Sequence, residues 1–164
     1  MFTSGELSAL EKVCQGRTFA QRRDTAIIAV FNATGVRGSE LAGIRYDPGD
    51  PRRSDVDLWN REITVRGKGG RPRIVRIGYE AARALDRYIR ARYIRARSRH
   101  AQAWRPQLWL GAGNCESLTA AGIDQMTARR GQQCVRTDHP DLCGPAGALP
   151  LVQEYADRLR APGV

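Results

Sequence analysis

The stretch "REITVRGKGGRPRIVRI", residues 61–77, constrains the fold more tightly than any other part of the chain. Ile63 and Val65 alternate with Glu62, Thr64 and Arg66, and on the far side of "KGGRP" Ile74 or Val75 pairs with Ile77 in the same two-residue rhythm. Two period-2 runs joined by a glycine turn predict a β-hairpin with one buried face. Gly69 and Gly70 supply the turn and lift Lys68 to its rim.

On either side of the hairpin the apolar spacing is helical. Residues 22–33, "RRDTAIIAVFNA", place Ala26, Ile27, Val30 and Phe31 on one face after an Asp-Thr start, and Thr34-Gly35 ends that helix. A short helix follows from about Ser39 to Ile44 before the prolines and glycine of "DPGDPRR" break the chain and lead to "DVDLWN". A long helix is expected from Tyr79 to about Arg99, with Leu85, Ile89, Tyr93 and Ala96 along one stripe. Inside it "YIRARYIRAR" repeats a pentapeptide in tandem. Five residues turn a helix by about 140°, so the two copies cannot present the same face. "QLWLG" is a short apolar segment, and "SLTAAGIDQMTARRG" predicts another helix with Ile123 and Met126 inward and Thr119 as its N-cap.

After Arg130 the pattern fades: residues 135–150 hold three prolines and two glycines, and only "LVQEYADRL" beyond them reads as helical. The expectation is therefore a mainly α chain with a small antiparallel β-hairpin or sheet, an α+β class, at about one domain's length. Its parts are a lead-in helix over 1–20, a body over 20–131 and a divergent tail over 132–164.

Charge narrows the function. The chain carries +10, and residues 61–105 alone hold 14 basic side chains against Glu62, Glu80 and Asp86, a net of +11. A basic excess confined to one segment marks a polyanion-binding face, for which nucleic acid is the commonest partner, and its arginine richness suits bidentate phosphate contact. No apolar run reaches membrane-spanning length and the N-terminus lacks a signal-peptide pattern, so a cytoplasmic location without membrane attachment is expected. Cysteines 14, 115, 134 and 143 form no C-x-x-C pair and are expected as thiols, and the C-x4-H-x3-C spacing of Cys134, His139 and Cys143 is a poor zinc pattern, so no metal is assigned. Gly67-Lys68 does not open a P-loop, because position 62 is Glu and position 69 is Gly.

The order of signals, T-G-V-R-G-S-E-L at 34–41, the "DVDL" step, the hairpin with Gly67-Lys68-Gly69, then "LWLG" and "LTAAGIDQMTARRG", resembles the catalytic domain of the tyrosine recombinase, or phage integrase, family over residues 20–131. The resemblance implies a protein that cuts and rejoins double-stranded DNA through a tyrosine nucleophile, with two arginines, a lysine and histidines around the phosphate. It implies no metal, no nucleotide cofactor and no small-molecule substrate. On this pattern Arg37 matches the first catalytic arginine, Glu40 the acidic position that orients it, and Lys68 the hairpin lysine acting as general acid toward the leaving 5′ oxygen. Arg66, Arg71, Arg73 and Arg76 on the hairpin, with Arg90, Arg92, Arg95 and Arg97 on the helix, are candidates for DNA-backbone contact.

The resemblance then breaks. A His-x-x-Arg motif is due after Gly131, where the sequence reads "TDHPDLCGPAG"; reading His139 as its histidine puts Leu142 at the arginine position, and aligning on His139-Pro140 puts Asp141 and Gly144 in the two places. Tyr155 is the one late tyrosine and reads as a partly buried aromatic of a short helix rather than a nucleophile. The expectation is that a frameshift or truncation near 134–138 replaced the family's remaining pattern with an unrelated tail. The functional expectation is a DNA-binding, cleavage-defective integrase relative. The alternatives are a non-catalytic DNA-binding regulator of a full-length recombinase and a basic RNA-binding protein; the partners expected beside double-stranded DNA are a full-length recombinase or a second copy of the chain.

Overall fold

The structure, a computed structural model, describes residues 10, 12, 14–98, 105–113 and 116–138, with the backbone alone at 95–98 and 134–138. The lead-in helix expected over 1–20 lies largely outside these residues, as do His139, Cys143 and Tyr155.

Helix α1 (Phe19–Thr34) begins where Thr18 caps it. The Gln21 amide donates to Thr18 Oγ1 at 3.2 Å, and the Thr18 amide donates to Gln21 Oε1 at 3.2 Å. This reciprocal box satisfies two amides that the first turn leaves open, and it sets the start ahead of the Asp-Thr pair at 24–25. Ala26, Ile27, Val30 and Phe31 are buried as their spacing predicts. Asp24, expected near the helix start, is buried instead. After the short helix α2 (Gly38–Ala42), a three-residue 3-10 turn at Pro51–Arg53 is capped by Asp50, whose Oδ1 accepts the Arg52 amide at 3.0 Å.

Strands β1 (Val56–Asp57), β2 (Glu62–Arg66) and β3 (Pro72–Arg76) form one antiparallel sheet in the order β1-β2-β3. The hairpin register pairs Ile63 with Val75 and Val65 with Arg73. Ile63, Val65 and Ile77 fill the core while Ile74 is exposed, so Val75 and not Ile74 belongs to the inward face. The "DVDL" step supplies the third strand.

Helix α3 (Tyr79–Ser98) packs on α1 through Ala81, Leu85, Tyr88 and Ile89. Tyr93, expected on this stripe, is 45% exposed. The buried stripe continues to Arg92, which lies one turn beyond Tyr88. The pentapeptide behaves as its geometry requires: Tyr88 and Ile89 are buried, whereas Tyr93 and Ile94 are exposed.

Leu108, Trp109 and Leu110 form a buried strut. The Tyr88 hydroxyl donates to the Leu108 carbonyl at 2.9 Å and accepts from the Leu110 amide at 3.0 Å, its ring stacks on Trp109 with centroids 5.2 Å apart, and Trp109 Nε1 donates to the Leu41 carbonyl at 2.9 Å. The indole thereby ties the strut to α2. Helix α4 (Ala120–Asp138) is capped by Thr119, whose Oγ1 accepts the Gly122 amide at 3.1 Å, and buries Ile123 and Met126. It continues through Asp138, past the point where the apolar spacing fades, and packs on α2 and α1.

One ionic cluster joins α1 to α4. Asp24 Oδ1 accepts from Nε and Nη2 of Arg23 at 2.9 and 2.7 Å, and its Oδ2 accepts from Nε and Nη2 of Arg130 at 2.9 and 2.7 Å. Arg23 Nη1 also donates to the Leu110 carbonyl at 3.1 Å, so cluster, strut and both helices interlock. No helix among the described residues is long and apolar enough to cross a membrane.

Candidate phosphate-binding site

Gly35, in the left-handed region at φ 62°, closes α1 by donating its amide to the Phe31 carbonyl at 2.8 Å and turns the chain within two residues to Arg37. Arg37 is the N-cap of α2, with extended φ −74° and ψ 155°, and so stands outside the helix proper. That position alters the relation expected between Arg37 and Glu40. Glu40 makes no ion pair with the Arg37 guanidinium; instead its Oε2 accepts the Arg37 backbone amide at 2.9 Å.

The same oxygen accepts Nη2 of Arg73, from β3, at 2.9 Å. Glu40 is 6% exposed, and its Oε1 lies so near Gly67 that a Cβ there would stand 3.4 Å from it. One buried carboxylate therefore joins the Arg37 turn, the end of β2 and the opposing strand β3. Lys68 follows Gly67 directly and is exposed on the turn Lys68–Gly70, which Gly69 and Gly70 close with φ of 80° and 73°. Arg37 is half-buried and Arg71 exposed; among the described residues, neither these guanidinium groups nor the Lys68 ammonium has a hydrogen-bond or ion-pair partner.

The opposite face of the hairpin is held by a second carboxylate. Asp55, 6% exposed, accepts from Arg66 Nη1 and Nη2 at 2.6 and 2.8 Å, from the Arg45 amide at 2.9 Å and from Arg45 Nε at 3.4 Å. Burial pushes the Asp55 carboxyl upward, but the bonds from Arg66 and Arg45 outweigh it and leave it below the ordinary aspartate range. Arg66 is raised in turn by its bond to Asp55. On this side a cavity of about 550 Å³ is lined by Asp47, Asp55, Asp57 and Glu62 together with apolar neighbours such as Val56, Leu58 and Ile74, with no lysine or arginine among them.

Of the eight arginines expected to contact DNA, the six whose side chains are described separate. Arg71 is exposed. Arg76 and Arg90 are exposed and lightly paired, with Glu62 at 3.3 Å and Asp86 at 2.9 Å, bonds that solvent screens. Arg66 and Arg73 are bound to the buried carboxylates Asp55 and Glu40 rather than presented unpaired. Arg92 is a correction. It is 2% exposed, donates to the carbonyls of Arg105 and Gln107 at 2.6 and 3.2 Å and lies over the Tyr46 ring at 5.6 Å, so it braces the segment before the strut and cannot meet a phosphate. The side chains of Arg95 and Arg97 lie outside the described residues.

Sequence reasoning missed Asp55, Arg45 and the Asp24 cluster. Asp55 bonds residues 10 and 11 positions away and Asp24 reaches Arg130 106 positions away, all in stretches whose polarity resembles solvated loop or helix surface, so no periodicity marks them.

Helices thus pack on a small antiparallel sheet, and the Arg37 turn and the Lys68 hairpin approach one carboxylate, that of Glu40. The chain shares this fold with a crystal structure of XerA recombinase at a TM-score of 0.65 and 24% identity, covering 99% of this chain and 52% of that one. Residues 1–108 match the phage integrase family, and the chain belongs to it. It is similar to the tyrosine recombinase XerC of Thermodesulfovibrio yellowstonii, 41% identical over 74 residues, covering 45% of this chain and 22% of the relative. XerC of Corynebacterium efficiens is 44% identical over 71 residues, or 43% of this chain and 21% of the relative. The matched stretch thus spans about a fifth of these curated relatives.

Proposed function

We propose that the chain engages the backbone of double-stranded DNA as the arginine-lysine half of a tyrosine recombinase active site. The observation that carries this reading is the Glu40 junction. It draws the Arg37 turn and the Lys68 hairpin together while leaving both cationic groups without an anion among the described residues. The Arg37 guanidinium suits two non-bridging oxygens of one phosphate and the charge that builds on them as phosphorus becomes five-coordinate. The Lys68 ammonium suits proton delivery to a departing 5′ oxygen. Arg71, Arg76 and Arg90 add non-specific backbone attraction.

Cleavage needs more than this half supplies. No His-x-x-Arg occurs in the 164 residues, so the second guanidinium and the histidine that would activate a tyrosine are missing from this sequence. The chain then binds and polarises phosphate without forming a covalent DNA adduct.

The test is a duplex titration across salt concentrations, with a parallel search for adducts on a nicked duplex. The reading expects binding whose log affinity falls linearly with log salt, a slope smaller by about 0.9 in Arg37→Ala, and no adduct. Absence of binding at low salt, or an unchanged slope in Arg37→Ala, would overturn it; an adduct would overturn the loss of cleavage.

A further inference from the structure

We infer that Arg73 is a positioning residue that fixes Lys68 relative to Arg37 through Glu40, and not a phosphate contact; the inference rests on the DNA-binding reading above. The register Val65↔Arg73 places Arg73 on the same face of the hairpin as Val65, where its half-exposed side chain commits Nη2 to Glu40 Oε2 at 2.9 Å. Arg66, the last residue of β2, lies on the opposite face and reaches Asp55 at 2.6 and 2.8 Å. The base of the Lys68 turn is thus gripped from both faces by carboxylates that are each 6% exposed.

The two grips differ in what they hold. Asp55 binds Arg66 and Arg45, neither of them in the Arg37 turn. Glu40 binds Arg73 with the oxygen that also receives the Arg37 amide, and its other oxygen abuts Gly67 beside Lys68. Breaking the Arg73–Glu40 bond therefore frees the hairpin from the turn that carries Arg37, whereas breaking the Asp55 bonds loosens the hairpin from β1's approach alone. The substitution of any side chain for Gly67 would press on the same carboxylate.

Charge makes the inference testable by sign. Removing the Glu40 charge raises the positive potential of the site, so field effects alone would tighten DNA binding. Positioning predicts the reverse. With a duplex of arbitrary sequence as probe and the full chain as protein, Glu40→Gln and Arg73→Ala should each weaken binding about threefold to tenfold, and the Arg73→Ala effect should shrink below about twofold in a Lys68→Ala background, because both act through Lys68. Equal cost in both backgrounds, or tighter binding by Glu40→Gln, would overturn the inference.

Amide exchange gives a second readout that does not need DNA. Exchange at residues 68–71 should accelerate about tenfold in Arg73→Ala and Glu40→Gln while α1 stays protected, and Arg73→Lys should recover most of that protection. Should Arg73→Ala lose protection in α1 as well, Glu40→Gln and Arg73→Lys decide the matter alone. If the unaltered chain fails to bind DNA, the DNA-binding reading falls, and unchanged exchange at 68–71 would then separately overturn the grip of Arg73.

Discussion

Replacing Asp24 by alanine should destabilise the protein more than any other single carboxylate removal, and the structure sets the size. Asp24 and Arg23 have side chains 4% and 8% exposed, so deleting the carboxylate strands the Arg23 guanidinium away from water with one surviving bond, from Nη1 to the Leu110 carbonyl at 3.1 Å. Arg130 is 15% exposed and turns part of its guanidinium to Gln133 Oε1 at 2.8 Å, so it suffers less. Removing one partner of a buried pair costs about 3–5 kcal/mol, because the remaining charge is uncompensated. With a urea dependence of about 2 kcal/mol per molar, the unfolding midpoint should fall by roughly 1.5–2.5 M. Arg130→Ala leaves the Arg23–Asp24 pair intact and should cost only about 1–2 kcal/mol. Urea titration followed by circular dichroism measures both. A fall of less than about 0.5 M for Asp24→Ala, or a larger fall for Arg130→Ala, would refute the view that burial of Arg23 governs the cost.

Asp55 gives a pH signature. Its folded-state carboxyl lies below the ordinary range, so its stabilisation is fully present above the unfolded value and is lost as acid protonates it in the folded state. The stability advantage of the unaltered chain over Asp55→Asn should hold flat from about pH 5 upward and shrink below about pH 4, as read from urea midpoints across that range. Gly70→Ala forces a side chain into φ 73° and should cost about 1 kcal/mol, a few degrees of thermal midpoint, by calorimetry. Arg92→Met should lower stability by removing donors from two carbonyls yet leave the salt slope of DNA binding unchanged, whereas Arg71→Ala should reduce that slope by about 0.9. Trp109→Phe should cost about 1–3 kcal/mol, because the Leu41 carbonyl loses its buried donor.

Which of these features the sequence announces depends on the range of the interaction. The hairpin is legible because Ile63 and Val65 face the core two residues apart, and α1 is legible because Ala26, Ile27, Val30 and Phe31 recur at helical spacing. The start of α1 is misread because a Thr18–Gln21 box is as local as the Asp-Thr pair but closes a turn earlier. Arg92 escapes because its residue type signals solvent while its position, a turn past Tyr88, signals core; the position prevails because two backbone carbonyls receive its donors. Glu40 is legible as a partner of Arg37 but not as the receiver of Arg73, since that bond spans 33 residues and exists only once the hairpin docks on α2.

The central claim, that Arg37 and Lys68 meet one phosphate group, is tested most directly by nuclear magnetic resonance of the isotopically labelled side chains during titration with a short duplex. The Arg37 Nε and Lys68 Nζ signals should shift together with a single common midpoint, while those of Arg66 and Arg92, held by Asp55 and by the backbone carbonyls of Arg105 and Gln107, stay in place. Shifts confined to Arg76 and Arg90, with Arg37 stationary, would contradict the account and leave only a basic surface.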